Sequence, residues 1–426
     1  MILTIITIFI IGYIAIAFEH PLKINKSATA LLVGVLCWTA YIVMGNDQHL
    51  INEQLTEHIG ELSGILFFLM GAMTIVELID AHDGFDVITT RITTTNKRKL
   101  LWIICGITFF LSAALDNLTT AIVMVSLLRK LIDDKEDRLL FIGMVVIAAN
   151  AGGAWSPIGD VTTTMLWIGG QITAVNIMLK LIVPSFICLL VPLIVLSFKL
   201  KGTITRPEST EDTISATTTA ERNIIFFLGI GTLIFVPIFK AVTSLPPYMG
   251  ILLGLGVLWI STEIIHNNRN KTQKSALSVS HALRNIDMPS ILFFFGILVA
   301  ISCLQSIGIL TTLAQFMNDS IGNLNIIVPL IGLLSAIVDN VPLVAASMGM
   351  YDLTTYPPDS YIWEFLAYCS GTGGSILIIG SAAGVAAMGM EKIDFIWYFK
   401  KIAGLAFIGY IAGAICYVAI EYFFHL

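Results

Sequence analysis

The sequence predicts an all-α polytopic membrane protein made of two inverted repeats, each holding five spans and one re-entrant hairpin. Three observations carry that prediction. The 426 residues are 56% hydrophobic and only 12% charged, against about 25% charged in a soluble domain. Apolar runs of 17–30 residues recur from one end to the other, which leaves no room for a large soluble domain. Four motifs also return in the same order 221–226 residues later.

The runs fall at 2–18, 27–45, 61–80, 101–128, 139–168, 174–198, 223–242, 246–265, 289–305, 324–349, 361–390 and 396–421. The first begins at Ile2 with no basic stretch before it, so it reads as a retained span and not a cleaved signal. Six cysteines scatter through these runs with no CxxC spacing, the pattern of small buried hydrophobes. The seven histidines lie near or outside span ends, which argues against an intramembrane His-ligated metal. The net charge of −6 carries no nucleic-acid signal, because the basic residues occupy short loops. The expected partner is the lipid bilayer.

Lys and Arg concentrate in cytoplasmic loops. Here they cluster at 23–26, 91–99, 129–138, 199–222, 269–284 and 392–401, and are absent from 46–60, 169–173, 243–248, 306–323 and 350–360. If every run crossed the membrane, the 129–138 cluster and the Lys392–Lys401 cluster would both fall outside. Treating 101–128 and 324–349 as re-entrant hairpins repairs both faults and leaves ten full spans with both termini outside. An arm of about 14 residues reaches roughly 20 Å into a core of about 30 Å, so each tip is expected near mid-membrane.

The hairpins match each other. "LSAALDNLTTAIV" (111–123) aligns with "LSAIVDNVPLVAA" (334–346), which sets Asp116-Asn117 on Asp339-Asn340. "NAGGAWSPIGD" (150–160) aligns with "GTGGSILIIGS" (371–381), "SGILFFLMG" (63–71) with "PSILFFFGI" (289–297), and Trp38 with Trp259. The first repeat is therefore expected over 1–198, with its hairpin at 101–128 and a broken helix at 139–168. A Thr-rich cytoplasmic linker spans 199–222. The second repeat covers 223–426, with its hairpin at 324–349 and broken helix at 361–390. An odd number of crossings turns the second half upside down, an architecture of secondary transporters.

Only Asp116, Asp160 and Asp339 are carboxylates deep within apolar runs, where a charge costs about 2.5–3.5 kcal/mol on insertion scales and marks an ion or proton path. Gly152, Gly153, Pro157 and Gly159 break the helix before Asp160, while Ser381 takes that place in the second break. Freed carbonyls, with side-chain oxygens from Asp116, Asn117, Asn150, Asp160, Thr162, Thr163, Asp339, Asn340 and Ser381, form a hard-oxygen set suited to Na⁺ or Li⁺. A buried carboxylate in such a set can hold either a proton or a cation, so Asp116, Asp160 and Asp339 are the candidate proton carriers. Capping is the competing role for each, since Asp116 could cap "LTTAIVMV". Glu77 and Asp80 end the 61–80 run and His82 follows it; the three read either as interfacial charges reaching water or as a cation-access or pH-sensing cluster. Glu263 and Glu364 are expected at the interface, and Lys180 and Lys240 are expected to snorkel.

On "ALDNLTT", "NAGGAWSPIGDVTT", "SAIVDNVPLVAA" and "GTGGSILIIGSAAG", nearly the whole chain resembles the NhaD-type sodium/proton antiporters of the ion transporter superfamily. The resemblance implies Na⁺ or Li⁺ exchange for H⁺ in pH homeostasis. It makes Asp116, Asn150, Asp160, Thr162, Thr163 and Asp339 candidate essential residues. It also implies a homodimer, elevator-like alternating access and a bacterial plasma-membrane location, with no cofactor and no catalytic chemistry. The alternatives are a sodium-coupled anion or dicarboxylate carrier, whose substrate three central acids would repel unless Na⁺ neutralised them, and an intramembrane aspartyl protease, whose Tyr-Asp and Gly-x-Gly-Asp motifs are missing.

Overall fold

Helices dominate because almost every residue must satisfy its backbone polar groups within its own segment in a lipid surround. The computed structural model describes residues 1–17, 24–89, 92–206, 217–267, 269, 271–337 and 339–424. The longer helices, in order, are α1 (Ile2–Ala17), α2 (Lys26–Met44), α3 (Gln48–Ala81), α4 (Lys97–Ala114), α5 (Asn117–Leu131), α6 (Lys135–Ala154), α7 (Val161–Ile168), α8 (Ala174–Lys199) and α9 (Thr219–Thr243). They continue with α10 (Pro247–Ile265), α11 (Met288–Ser306), α12 (Ile309–Ile321), α13 (Leu324–Leu334), α14 (Asn340–Met350), α15 (Tyr361–Gly373), α16 (Ala382–Glu391) and α17 (Gly404–Phe424).

Among the described residues, eight helices are long and apolar enough to cross a membrane: α2, α3, α6, α8, α9, α10, α11, and the stretch Phe395–Phe423 that includes all but the last residue of α17. The chain is an integral membrane protein. α1, with 16 residues, and the divided α15 and α16, with 13 and 10, fall below that length. Side chains such as Phe227, Ile234, Val242, Ile260 and Ile264 are exposed along α9 and α10, the apolar face that a lipid surround requires.

Two expected loops are helical. Residues 48–60 of the 46–60 segment are the first part of α3, a continuous 34-residue helix of about 51 Å at 1.5 Å per residue. Asp47 starts it by accepting the Leu50 N–H at 3.1 Å, and the Gln, Glu and Leu residues that follow are all good helix formers. Within 306–323, α12 runs between Gly308 and Gly322, whose φ of 75° and 67° need a residue without Cβ. Its Leu310 and Ala314 are buried while Phe316 is exposed.

The linker 199–222 lies partly outside the described residues, at 207–216, as do Lys23 and Arg91 of the basic clusters. Its first part is tied down by Ile204 N–H to the Thr95 carbonyl at 2.8 Å and Asp133 N–H to the Thr205 carbonyl at 3.0 Å. A capping box formed by Thr218 and Glu221 then begins α9.

α2 and α11 are packed backbone to backbone. A β-carbon added at Gly34 would stand 2.7 Å from the Gly296 carbonyl oxygen, and one at Gly296 would stand 2.5 Å from the Ala30 carbonyl carbon. Such small-residue crossings let transmembrane helices approach closely.

Candidate functional site

The helix breaks at the two hairpin sequences and the two Gly-rich sequences meet in the interior. α4 stops at Leu115 and α5 restarts after Asp116; α13 stops at Ser335 and α14 restarts after Asp339. Between α6 and α7 the chain passes through 155–160, and between α15 and α16 through 374–381. Each restart is capped by a short polar side chain: Asp116, Asp160, Asp339 and Ser381 accept backbone N–H groups of Thr119, Thr162, Val341 and Gly384.

The same fastening occurs twice. Ser112 donates its hydroxyl to the Ala149 carbonyl at 2.6 Å, and Ser335, 223 residues later, donates to the Ser370 carbonyl at 2.8 Å. Both serines are fully buried. Ser112→Ala and Ser335→Ala are each expected to lower stability by about 1 kcal/mol. Thermal unfolding of the purified protein in detergent checks this, and an unchanged midpoint for both would show that the bonds contribute nothing.

Asp160 stands at the centre, 2% exposed. Its Oδ1 accepts both the N–H and the hydroxyl of Thr162 at 2.9 Å, and Thr163 donates its hydroxyl to the Asp160 carbonyl at 2.9 Å. Its Oδ2 accepts Asn117 Nδ2 at 2.6 Å. Asn340 Nδ2 lies 3.5 Å from both carboxylate oxygens. The two asparagines that follow the hairpin aspartates thus converge on the one carboxylate. Asn150 completes the network: its Oδ1 accepts Asn117 Nδ2 at 3.0 Å, and its Nδ2 donates to Ser375 at 3.0 Å and Ser381 at 2.9 Å.

Six of the nine residues expected at an ion site, Asn117, Asn150, Asp160, Thr162, Asn340 and Ser381, are joined by these side-chain hydrogen bonds, and Thr163 braces the backbone beneath. The carboxylates of Asp116 and Asp339 stand apart from it. Asp116 is engaged on its own helix, accepting Thr119 N–H at 2.7 Å and the Thr119 hydroxyl at 2.8 Å. Asp339 Oδ2 lies 3.6 Å from Lys26 Nζ. Ser375 was not singled out in the sequence, although it sits in the same Gly-rich break.

The access cluster divides. Glu77 and Asp80 line a cavity of about 450 Å³ with Lys26, Leu118, Thr119 and Asp287. His82 does not line it; its ring is buried and stacked on His266 at 5.1 Å, with Nδ1 2.7 Å from the Leu78 carbonyl. Five residues beyond Glu77 on a helix is a turn of about 140° onto another face, which is why the three do not act together. A second cavity of about 590 Å³ includes His58, Glu61, Met165, Gln305 and Asp352. Glu61 and Glu77 lie about 24 Å apart along α3, so the two cavities meet that helix at separate levels, one near its middle and one near its C-terminal end. At the second mouth, hydrogen bonds from Thr354 and Thr355 hold the exposed Asp352 carboxyl down at about 2. That mouth therefore keeps a negative charge until the pH falls through about 2.

Glu364 is fully buried within the protein: Asn176 donates to its Oε1, and its Oε2 has no hydrogen-bond partner among the described residues. α15 carries Glu364 in its first turn and ends at Gly373. About 14 Å of helix therefore holds it away from the break at 374–381. Glu263 is exposed and pairs with Lys274 at 2.8 Å. Lys180 and Lys240 both have partners within the protein. Lys180 pairs with Glu421 at 3.0 Å, and Lys240 donates to the Trp167 carbonyl at 3.0 Å with its ammonium over the Trp167 ring. All six cysteines are free thiols, five of them buried.

A family profile described as "Citrate transporter" matches residues 13–365. The chain is 52% identical over 417 residues to "Sodium/proton antiporter 1" of Arabidopsis thaliana, covering 97% of this chain and 72% of that protein. It is 49% identical to "Sodium/proton antiporter 2" of the same plant, covering 98% and 99%. It is 29% identical to "Na(+)/H(+) antiporter NhaD" of Vibrio cholerae, covering 97% and 91%. The solved structure of the YdaH transporter of Alcanivorax borkumensis shares the fold at a TM-score of 0.61 and 10% identity, covering 94% of this chain and 98% of that one.

Proposed function

The chain belongs to the citrate-transporter family, among its sodium/proton antiporters, and from that premise we propose that it exchanges Na⁺ for H⁺ through Asp160. It is a transporter and not an enzyme. The observation that carries the assignment of the site is the convergence of Asn117 and Asn340 on one buried carboxylate, with the oxygens of Thr162, Ser375 and Ser381 within the same network. Half a turn of either asparagine amide presents Oδ1 in place of Nδ2. Asp160 then has neutral oxygen donors on both sides, a set suited to a small hard cation such as Na⁺ or Li⁺. Without the cation, a proton on the carboxylate neutralises it instead. One charge held by either occupant is the chemistry of exchange.

Placement supports the remaining parts of the proposal. The 450 Å³ cavity reaches Leu118, Thr119 and Ala382, close in sequence to Asn117 and Ser381, and its Glu77 and Asp80 draw cations toward the site. The basic loops lie at that end, so we assign it to the cytoplasm, with both termini outside and the hairpins re-entrant. Recurrence of capping and serine contacts at offsets of 221–223 supports two inverted repeats over 1–198 and 223–426. Asn150 and Asn340 tie the two sets of breaks together, so they would move as one body against the α2–α11 pair, as an elevator-like mechanism needs. Homodimer formation and a bacterial plasma membrane rest on the resemblance to NhaD proteins; the Arabidopsis relatives show that the family also occurs in a plant.

The family profile's own description favours a second reading, transport of an anion such as citrate. Asp160 opposes it, since a carboxylate substrate would face an uncompensated buried charge. Proteoliposomes with an imposed pH gradient decide between the two. Na⁺ or Li⁺ is expected to dissipate the gradient, whereas citrate uptake without any response to monovalent cations would overturn the proposal.

Asp116→Asn gives a further test. Asparagine caps helices about as well as aspartate, so the fold should survive and the variant reports the charge alone. Exchange is expected to fall at least about tenfold, a loss of roughly 1.4 kcal/mol. Wild-type exchange would leave Asp116 as a cap and nothing more.

A further inference from the structure

Lys26 lies outside the hairpins and the broken helices, yet its charge reaches a hairpin aspartate. Its ammonium stands 3.6 Å from Asp339 Oδ2 and 4.5 Å above the Phe293 ring. Its place is well defined. Asn25 caps α2 by accepting Ser27 N–H at 2.8 Å. Ser27 donates its hydroxyl to the Pro289 carbonyl of α11 at 2.6 Å, and the Gly34–Gly296 crossing locks α2 onto α11 further along. Asp339, by contrast, sits on the turn between α13 and α14, where it also accepts Val341 N–H at 3.2 Å. Lys26 lines the 450 Å³ cavity as well, and both partners keep some side-chain exposure, 26% and 18%, so the contact is not sealed from water.

A lysine ammonium beside a carboxylate does what a bound monovalent cation does: it supplies one positive charge close to the carboxylate oxygens. It differs in being tethered to the opposite body. We propose that Lys26 is the resident counter-cation of Asp339, holding the α13–α14 turn against α2 until a cation arriving through the cavity displaces it. This rests on the reading that Asp339 belongs to the ion path. Because the ammonium is fixed to the α2–α11 pair, the contact exists only while the hairpin turn lies at this end. It therefore favours one of the two positions of the moving body, and cation binding weakens that hold. The empty, unprotonated carrier is kept from crossing, and cycling without cargo is suppressed.

Removal of the tethered competitor should let Na⁺ bind more readily. In proteoliposomes loaded to present Na⁺ at the cytoplasmic face, Lys26→Gln and Lys26→Met are expected to lower the apparent KM for Na⁺ about three- to tenfold. Methionine keeps the apolar stem over Phe293, and Lys26→Arg keeps the charge and should hold the wild-type KM. In an Asp339→Asn background, Lys26→Gln should change nothing further. A loss of maximal rate with unchanged KM in both neutral variants, or an equal KM change in Lys26→Arg, would overturn the proposal, as would failure of all three variants to reach the membrane. If Asp339→Asn exchanges like wild type, the reading of Asp339 as part of the ion path falls. If it is impaired while Lys26→Gln behaves like wild type, only the role of Lys26 falls.

Discussion

Asp160→Asn is expected to reduce Na⁺-driven proton movement at least about a hundredfold, some 2.7 kcal/mol, with the protein still folded. Asparagine keeps the Oδ1 that accepts Thr162 N–H and its hydroxyl, so α7 keeps its cap. The change falls on Oδ2, which accepts Asn117 Nδ2 at 2.6 Å. An amide nitrogen there would set donor against donor and remove the carboxylate from the network. Neither a proton nor a cation could then be held as a neutral pair. Gradient dissipation measured beside a thermal-unfolding curve separates lost function from lost fold. Exchange within about threefold of wild type, under 0.7 kcal/mol or so, would remove Asp160 from the centre of the mechanism.

Gly152→Val and Gly373→Val are expected to remove folded protein almost entirely. A β-carbon at Gly152 would stand 2.2 Å from the Phe109 carbonyl oxygen, and one at Gly373 would stand 2.0 Å from the Gly332 carbonyl oxygen. These obstacles are backbone, which cannot rotate away. Overpacking a core costs about 1–3 kcal/mol when side chains can give, and here the cost should exceed that range. The same blow falls at equivalent places, each holding a broken helix against a hairpin arm. Gly106→Ala in α4, where nothing lies within 4 Å, is the control and should be tolerated. Detergent-extracted yield and gel-filtration profiles check all three. A monodisperse, active Gly152→Val protein would refute the close-approach argument.

Much of this was legible in the chain. The breaks at Asp116, Asp160, Asp339 and Ser381 were visible because glycine, proline and acidic residues interrupt apolar runs that otherwise have no reason to stop. The matched "LSAALDN" and "LSAIVDN" also contain Ser112 and Ser335, whose fastening hydroxyls only the structure revealed. The central role of the two asparagines was less visible, since an Asp-Asn pair draws attention to its charge. The helical character of 48–60 and 309–321 was hidden because both segments are polar or amphipathic, and charge counting treats such segments as loops.

Three placements needed the folded molecule. Lys26 is separated from Asp339 by more than 300 residues, and no local pattern pairs them. His82 shares a sequence cluster with Glu77 and Asp80 but leaves their cavity to stack on His266. Glu364, near the start of α15, is buried where α8 lays Asn176 over it.

By itself, the sequence determined that the chain is a membrane-embedded helical protein, where its helices break, and which polar residues those breaks carry. Apolar length and local breakers act within one segment and can be read there. Only the tertiary structure decided that Asp160, and not Asp116 or Asp339, is the carboxylate on which both asparagines converge. In sequence all three are carboxylates at breaks within apolar runs. What separates them is which helix ends meet, a matter of packing between segments far apart in the chain.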